Sequence, residues 1–363
     1  MPIHHCKILP HLKFSRIFLC VWLFTALGAH AEDPAANFSK GPLYGKNLFV
    51  PYLIHYNFPS LPAKSAEQYE LQYHLSLYYV NDVNYANNDY TLYDGMERAY
   101  STDNISRDYE SCAAEIGLAY TIIKQLQIGV DMRMYSYYGG FLDSIIEWFH
   151  GIFGFPNGGR EFFLQNQMYI NIPNDNGITI HLDKPTVSFG DIDIWGKWTF
   201  LENNRLSLGL LGAFKLPTGK LSSLSGSGYP DAALGLLLDF RAARWITLFA
   251  QAGAVFPFNK SYVMFNGMAG LEIHPWPFLS FNMQMNIKTS PISNARSNAD
   301  NNTYFRNYAL PQTNILAGVV MRHKSFRWQL YFEEDAFTFQ GTDITFNISF
   351  SHTIGLKNDA LGV

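Results

Sequence analysis

The sequence predicts an all-β fold: a transmembrane antiparallel β-barrel of about 14 strands (about 12 to 14) with one amphipathic helix in an outer loop. Three observations predict it. Apolar and polar residues alternate strictly in many segments of about 10 to 13 residues, the length a tilted strand needs to cross a bilayer. Tight connections alternate with long ones, as in barrels with short periplasmic turns and long outer loops. Aromatic residues make up 16% of the chain and charged residues only 15%, a balance that suits a lipid-facing surface better than a soluble one.

The chain opens with Lys7, Lys13 and Arg16, then the apolar run from Ile17 to Gly28 and the small-residue site at Ala29 to Ala31. This is the pattern of a secretory signal over residues 1–31, cut between Ala31 and Glu32. Cys20 follows Leu19 rather than a small residue, which argues against a lipoprotein signal. Loss of the leader leaves Cys112 as the one cysteine, so the exported chain has no intramolecular disulfide. It also leaves 23 basic residues against 30 acidic ones. That balance argues against nucleic acid as a partner.

No apolar stretch after the leader is long enough for a spanning helix, so the strands carry the membrane assignment. In "SFNMQMNIKT" Phe281, Met283, Met285 and Ile287 oppose Ser280, Asn282, Gln284, Asn286 and Lys288. "TDITFNISFS", "GDIDIWGKWTF" and "LQIGVDMRM" repeat the pattern, the last setting Asp131 and Arg133 against Met132 and Met134. A soluble sandwich alternates too, so strand length and loop order decide for the barrel. Tight turns fall near Lys124, Glu202 to Asn204, Arg241 to Arg244, His274 to Pro277 and His323 to Ser325. Long connections fall at Asn81 to Tyr109, Gly139 to Phe162, Pro217 to Gly228 and Ser290 to Leu310, with a short exception at Pro257 to Lys260. Residues 65–354 form the barrel and 355–363 a periplasmic tail. The pieces between Gln165 and Leu182 are weak strands. In the N-terminal segment 32–64, Asn47 to Phe58 is either a further strand or a segment lying inside the barrel. Tyr78, Tyr79, Tyr137, Tyr138, Trp245, Trp276 and Trp328 fit interfacial girdles.

Motifs with catalytic overtones fail on spacing. "GAFKLPTGKL" has Phe214 where a phosphate loop needs its first glycine, and Leu221 where it needs Ser or Thr. "LSGSGY" around Ser227 lacks the spacing of a nucleophile elbow. The seven histidines after the leader show no ligand spacing, so neither metal nor cofactor is expected. His74 and Ser76 share a strand face, a generic match to a barrel-wall hydrolase, and the chain is read as a non-enzyme. Asp191, Asp193 and Lys197 share one strand face, read as a lumen row.

The segment "GGFLDSIIEWFHGIFGFPNGGR", Gly139 to Arg160, is the one clear amphipathic helix. Phe141, Leu142, Ile145, Ile146, Trp148, Phe149, Ile152 and Phe153 share one side, and Asp143, Glu147 and His150 the other. The apolar side must pack on something. It can enter the lumen, cover the mouth or lie on the outer leaflet. The absence of Lys and Arg from its polar face disfavours the leaflet, so packing into or over the barrel is the expected outcome.

Taken in order, "GGFLDSIIEWFHGIFGFPNGGR", "FGDIDIWGKW", "LGAFKLPTGK", "GSGYPDAALGLLL" and "YFEEDAFTFQGTDITFNISFSHTI" resemble the bacterial outer-membrane barrel family known as domain of unknown function 3187. The resemblance spans Asn47 to Ile354 and implies fold and compartment, with no chemistry attached. The tail "GLKNDALGV" departs from barrels that end on an aromatic residue read by the assembly machinery. A more distant likeness is to long-chain fatty-acid channels, which have an N-terminal plug; "NLFVPYLIHYNF" would then be the plug here.

The expectation is therefore a bacterial outer-membrane channel for an unidentified small solute, narrowed or lidded by residues 139–160. Asp143, Glu147, His150, Arg160, Asp191, Asp193 and Lys197 are the lumen and solute candidates. Outer-membrane lipid and the barrel-assembly machinery are the expected partners. A structural or adhesive barrel acting through its long loops is the alternative.

Overall fold

The computed structural model describes residues 39–46, 48, 54–86, 105–154, 160, 163–175, 178–290, 311–335, 342 and 344–356; in 84–86, 105–106, 172–175 and 178–179 it describes the backbone alone. The cleavage pair Ala31 and Glu32, the tips of two long loops and the tail from 357 onward lie outside these residues.

The described residues form fourteen strands, and twelve of them close the barrel. In chain order these are β1 (Glu70–Ala86), β2 (Ile105–Ile123), β3 (Leu126–Tyr138), β4 (Tyr169–Asp175), β5 (Ile178–Leu182), β6 (Thr186–Glu202), β7 (Leu206–Leu216), β8 (Asp231–Ala243), β9 (Ile246–Pro257), β10 (Met264–Ile273), β11 (Leu279–Lys288), β12 (Gln312–His323), β13 (Phe326–Asp335) and β14 (Ile344–Gly355). Every pairing in the sheet is antiparallel, and β1 closes the ring on β14 from Glu70↔Gly355 to Asn81↔Ile344. Closure gives every wall strand two neighbours, so no open edge meets lipid. The weak strands β4 and β5 are a hairpin outside the ring. β4 takes over from β3 as partner of β2 at Ser106 to Asp108, beyond the point where β3 ends at Tyr138.

Side-chain parity follows the alternation. Leu75, Leu77, Ile116, Leu118, Met132, Met134, Met283 and Phe346 point outward and are exposed, as a lipid-facing wall requires. Their neighbours Ser76, Glu115, Gly117, Asp131, Arg133, Asn282, Gln284 and Asn347 point inward and are buried. A wall seals the lumen from outside, but it does not bury lumen side chains; something must fill the barrel.

Parity also corrects the girdle assignment. Tyr79 and Tyr138 face outward, whereas their neighbours Tyr78 and Tyr137 are buried in the lumen. Consecutive strand residues cannot share a face. No helix among the described residues is long and apolar enough to cross a membrane. The tight turns after β2, β6, β8, β10 and β12 lie at one end of the barrel, together with Glu70 and Gly355; the longer connections lie at the other, the short exception 258–263 among them.

Candidate functional site

The lumen is filled by the chain's own N-terminal segment, of which residues 39–46, 48 and 54–64 are described. An extended segment without a partner strand must satisfy its backbone groups some other way, and here the inward polar side chains of the wall do it. At the short-turn end, Lys40 N donates to Glu272 Oε1 at 2.8 Å, and Arg327 Nη2 donates to Pro42 O at 2.7 Å. Further in, Leu43 N donates to Gln284 and Tyr44 N to Gln329 Oε1 at 2.9 Å. Near the long-connection end, Lys215 Nζ donates to Ile54 O at 2.8 Å and Tyr56 N to Asp231 Oδ2 at 2.7 Å. The segment then returns past Lys288, which donates to Asn57, to the short-turn end. There Lys197 Nζ donates to Pro62 O at 3.1 Å and Lys64 O at 2.9 Å, and Ala63 N donates to Asp239 Oδ1 at 3.0 Å. It is a plug that climbs the lumen and comes back down before β1 begins. Of the two readings of Asn47 to Phe58, its described residues take the one inside the barrel.

Apolar contacts complete the seat. Leu43, Leu48 and Ile54 pack with Tyr78, Tyr109, Tyr135, Tyr137 and Tyr331. Phe58 lies against β8 and β9 where a side chain would collide: a Cβ on Gly253 would sit 2.5 Å from Phe58 Cζ, and one on Gly235 2.9 Å from its Cε1. The two glycines form the socket for the ring.

At mid-lumen the plug presents Lys46 to three carboxylates. Its Nζ lies 3.0 Å from Glu115 Oε2, 2.9 Å from Asp131 Oδ2 and 3.2 Å from Asp193 Oδ2, with all four side chains buried. Burial by itself would lower the Lys46 pKa, but the Asp131, Glu115 and Asp193 carboxylates outweigh burial and the nearby Arg133, and hold it above the ordinary lysine value. Arg133 pairs with Asp193 and stands 3.5 Å from Glu115 Oε2. Tyr44 Oη donates to Glu115 Oε1 at 2.7 Å and Trp195 Nε1 to Asp131 Oδ2 at 3.1 Å. His74 Nε2 approaches Glu115 Oε1 at 3.3 Å.

His74, Glu115 and Asp131 bring their ligand atoms within 4.8 Å of one another, a set compact enough for a divalent cation. Histidine spacing alone gave no hint of this, because the three ligands come from three strands. In this arrangement Lys46 supplies the positive charge to the two carboxylates, so a metal and the plug compete for them. His74 and Ser76 do not meet as a hydrolase pair: Ser76 Oγ accepts from Ser349 Oγ at 2.8 Å, and His74 serves Glu115.

A second charged centre lies toward the long-connection end. Lys215 Nζ is 2.6 Å from Asp191 Oδ2 and 3.4 Å from Asp231 Oδ2. His55 of the plug faces Asp231 at 3.5 Å, and burial lowers its pKa despite that carboxylate. The connection 217–230 folds inward here: Gly219 N donates to Asp191 Oδ1 at 2.8 Å, and Tyr137 Oη donates to Leu224 O at 2.9 Å.

The sequence candidates therefore divide. Asp191, Asp193 and Lys197 do point into the lumen, yet they hold Lys215, Lys46 and the plug backbone rather than forming a row open to water. Asp143, Glu147, His150 and Arg160 are not in the lumen. They lie outside the wall, on an excursion containing α1 (Asp143–Phe153). Glu110, on the outward parity of β2, accepts from Phe141 N at 3.0 Å and Leu142 N at 2.6 Å. Asp143 is buried, 2.9 Å from Arg160 Nη1, and Arg160 also donates to Asn81, on the outward parity of β1. Glu147 accepts from Gln165 Nε2 at 2.9 Å. The polar face thus meets the barrel and the apolar face turns away. Outward-facing Asn81 and Glu110 give the polar face its partners, in place of the lumen expected for it.

Lys46, Glu115, Asp131, Arg133 and Lys215 were missed as site residues. Lumen parity was the available signal for the four on strands; nothing in the sequence marks Lys46.

The family described as protein of unknown function, DUF3187, matches residues 69–354. The chain belongs to this family. The match begins at the first wall strand and leaves out the plug. Among solved structures, the COG4313 outer membrane channel from Pseudomonas putida F1 is similar with a TM-score of 0.51 at 10% identity, covering 80% of this chain and 96% of that one. The likeness shows a shared barrel fold. The KdgM porin (TM-score 0.40, 6% identity, 78% and 98% covered) and the P. putida toluene transporter TodX (TM-score 0.38, 10% identity, 80% and 91% covered) are looser matches that carry no argument. No curated protein matches the chain.

Proposed function

We propose that this DUF3187 protein is a passive outer-membrane channel for a small polar solute, closed by its own N-terminal segment. The observation that carries the reading is the seat of Lys46 among Glu115, Asp131 and Asp193 inside a closed barrel. A filled lumen needs no charged core for stability, since apolar side chains of similar volume do as well. A lumen that opens to water does need polar walls. Gln127, Gln251, Asn282, Gln284, Asn314 and Asn347 continue that polar lining, which favours a hydrogen-bonding solute over a hydrocarbon. The similarity to the Pseudomonas putida outer membrane channel agrees with this reading at the level of fold.

The short-turn end faces the periplasm in this reading, as in other outer-membrane barrels. The plug then enters and leaves from the periplasmic side, and the gate is residues 39–64 with the inward fold of 217–230. Residues 139–160 play no part in it.

The test is conductance in planar bilayers. Removing residues 39–64 should convert a closed or low-conductance barrel into an open one, while removing 141–155 should leave conductance unchanged. An unplugged barrel that folds but stays silent overturns the channel reading and favours the structural or adhesive barrel.

A further inference from the structure

The outward face of α1 is exposed, and its surroundings say what covers it. Phe141, Ile145, Trp148, Phe149, Ile152 and Phe153 are between 45% and 67% exposed, as much as the lipid-facing Leu77, Ile116 and Met132 of the wall. In water this orientation would be inverted, since an amphipathic helix hides its apolar stripe. Here it is fixed from beneath. Gly140 has φ +76°, and a Cβ there would lie 1.8 Å from Glu110 Cδ, so the chain leaves the wall flush against that carboxylate. The Asp143 to Arg160 pair and the bond from Asn166 N to Asp143 Oδ2 at 2.7 Å close the excursion on itself.

The apolar face is continuous with the wall. The Phe141 ring lies 5.9 Å from that of Tyr79, and Tyr79 lies 6.4 Å from Tyr138, both tyrosines on the outward parity of their strands. The Asp143 and Arg160 charges are costly in hydrocarbon, which favours a level near the headgroups over one deeper in the bilayer. A second copy of the chain would cover the helix as well, but it would have to displace lipid from the adjoining wall. The helix carries no Lys or Arg, so its attachment draws on apolar burial and needs no anionic headgroup.

We infer that α1 is a membrane-interface anchor: a helix clamped to the outside of the barrel by its polar face, whose apolar face inserts into the lipid leaflet at the long-connection end. This inference depends on the lipid-facing wall and not on conduction, so it can fail or stand independently of the channel reading.

The experiment reads Trp148. The protein and its Trp148→Phe variant are reconstituted in phosphatidylcholine vesicles with bromine high on the acyl chains, and the difference between their fluorescence isolates Trp148. Bromolipid should quench that difference signal at least twofold, and aqueous iodide should barely affect it. Iodide quenching without bromolipid quenching overturns the proposal. So does efficient disulfide formation between copies carrying Trp148→Cys, with the native cysteines replaced, at high lipid-to-protein ratio, since a second copy would then hold the face. Trp148 is exposed, so neither substitution threatens folding.

Discussion

The Lys46 ammonium of the lumenal segment lies 2.9 Å from the Asp131 carboxylate of β3, both side chains fully shielded from water. The pair joins the plug to the wall, and Glu115 and Asp193 share the same ammonium. Removing one partner from such a set leaves uncompensated buried charge, at a cost of about 3–5 kcal/mol.

Lys46→Met keeps most of the side-chain volume and deletes the charge. The wall retains its hydrogen-bonded ladder, so the cost falls on the seating of the plug rather than on the barrel. The open fraction in single-channel records should rise at least tenfold, and Lys46→Arg, which keeps the charge, should stay mostly closed. Equal records for Met and Arg would show that the ammonium does not hold the plug.

Gly253→Val tests the same gate from its apolar side. A side chain there meets the Phe58 ring at contact distances no real Cβ shows, and overpacking of this kind costs about 1–3 kcal/mol. The plug should be displaced and conductance should rise. Combining the change with Phe58→Ala, which vacates the space, should return the channel toward closure.

Legibility in the sequence followed the physics of each part. The wall was readable because alternation is a property of each strand alone, and lumen-facing Asp191, Asp193 and Lys197 came with it. The count of fourteen strands was also right, but β4 and β5 could not be separated from the ring, because their pairing with β2 depends on β3 ending at Tyr138. The polar face of α1 was read as solute-facing because amphipathic periodicity identifies two faces without saying which one the protein covers. Asn81 and Glu110 decide that, and they sit in β1 and β2, remote from the helix in sequence. Lys46 belongs to a segment with no periodicity at all.

Lys40, where the plug enters, gives a pH dependence. Burial lowers its pKa to about 8 from an ordinary 10.5, with Glu272 opposing and Arg322 and Arg327 assisting. Between those values the unfolded chain binds the proton and the folded chain does not. Stability therefore rises with pH across this window, and the cost of burying the charge applies below it. Urea midpoints in detergent micelles should climb from pH 8 to 10.5 in the wild type relative to Lys40→Met. Parallel pH profiles would show that Lys40 keeps an ordinary pKa.

Gly140→Ala addresses the junction between wall and helix. A left-handed backbone costs an L-residue about 1–2 kcal/mol, and the added methyl would also overlap the Glu110 carboxyl. Glu110 accepts the Phe141 and Leu142 amides, so moving it leaves both donors without their partner as well. The strain is local to the excursion, whereas β2 and β3 remain paired from Glu110↔Tyr138 inward. The barrel should therefore keep the urea midpoint of the wild type, while Trp148 loses most of its quenching by bromolipid. A variant that keeps full quenching would show that the Glu110 contact does not orient the helix.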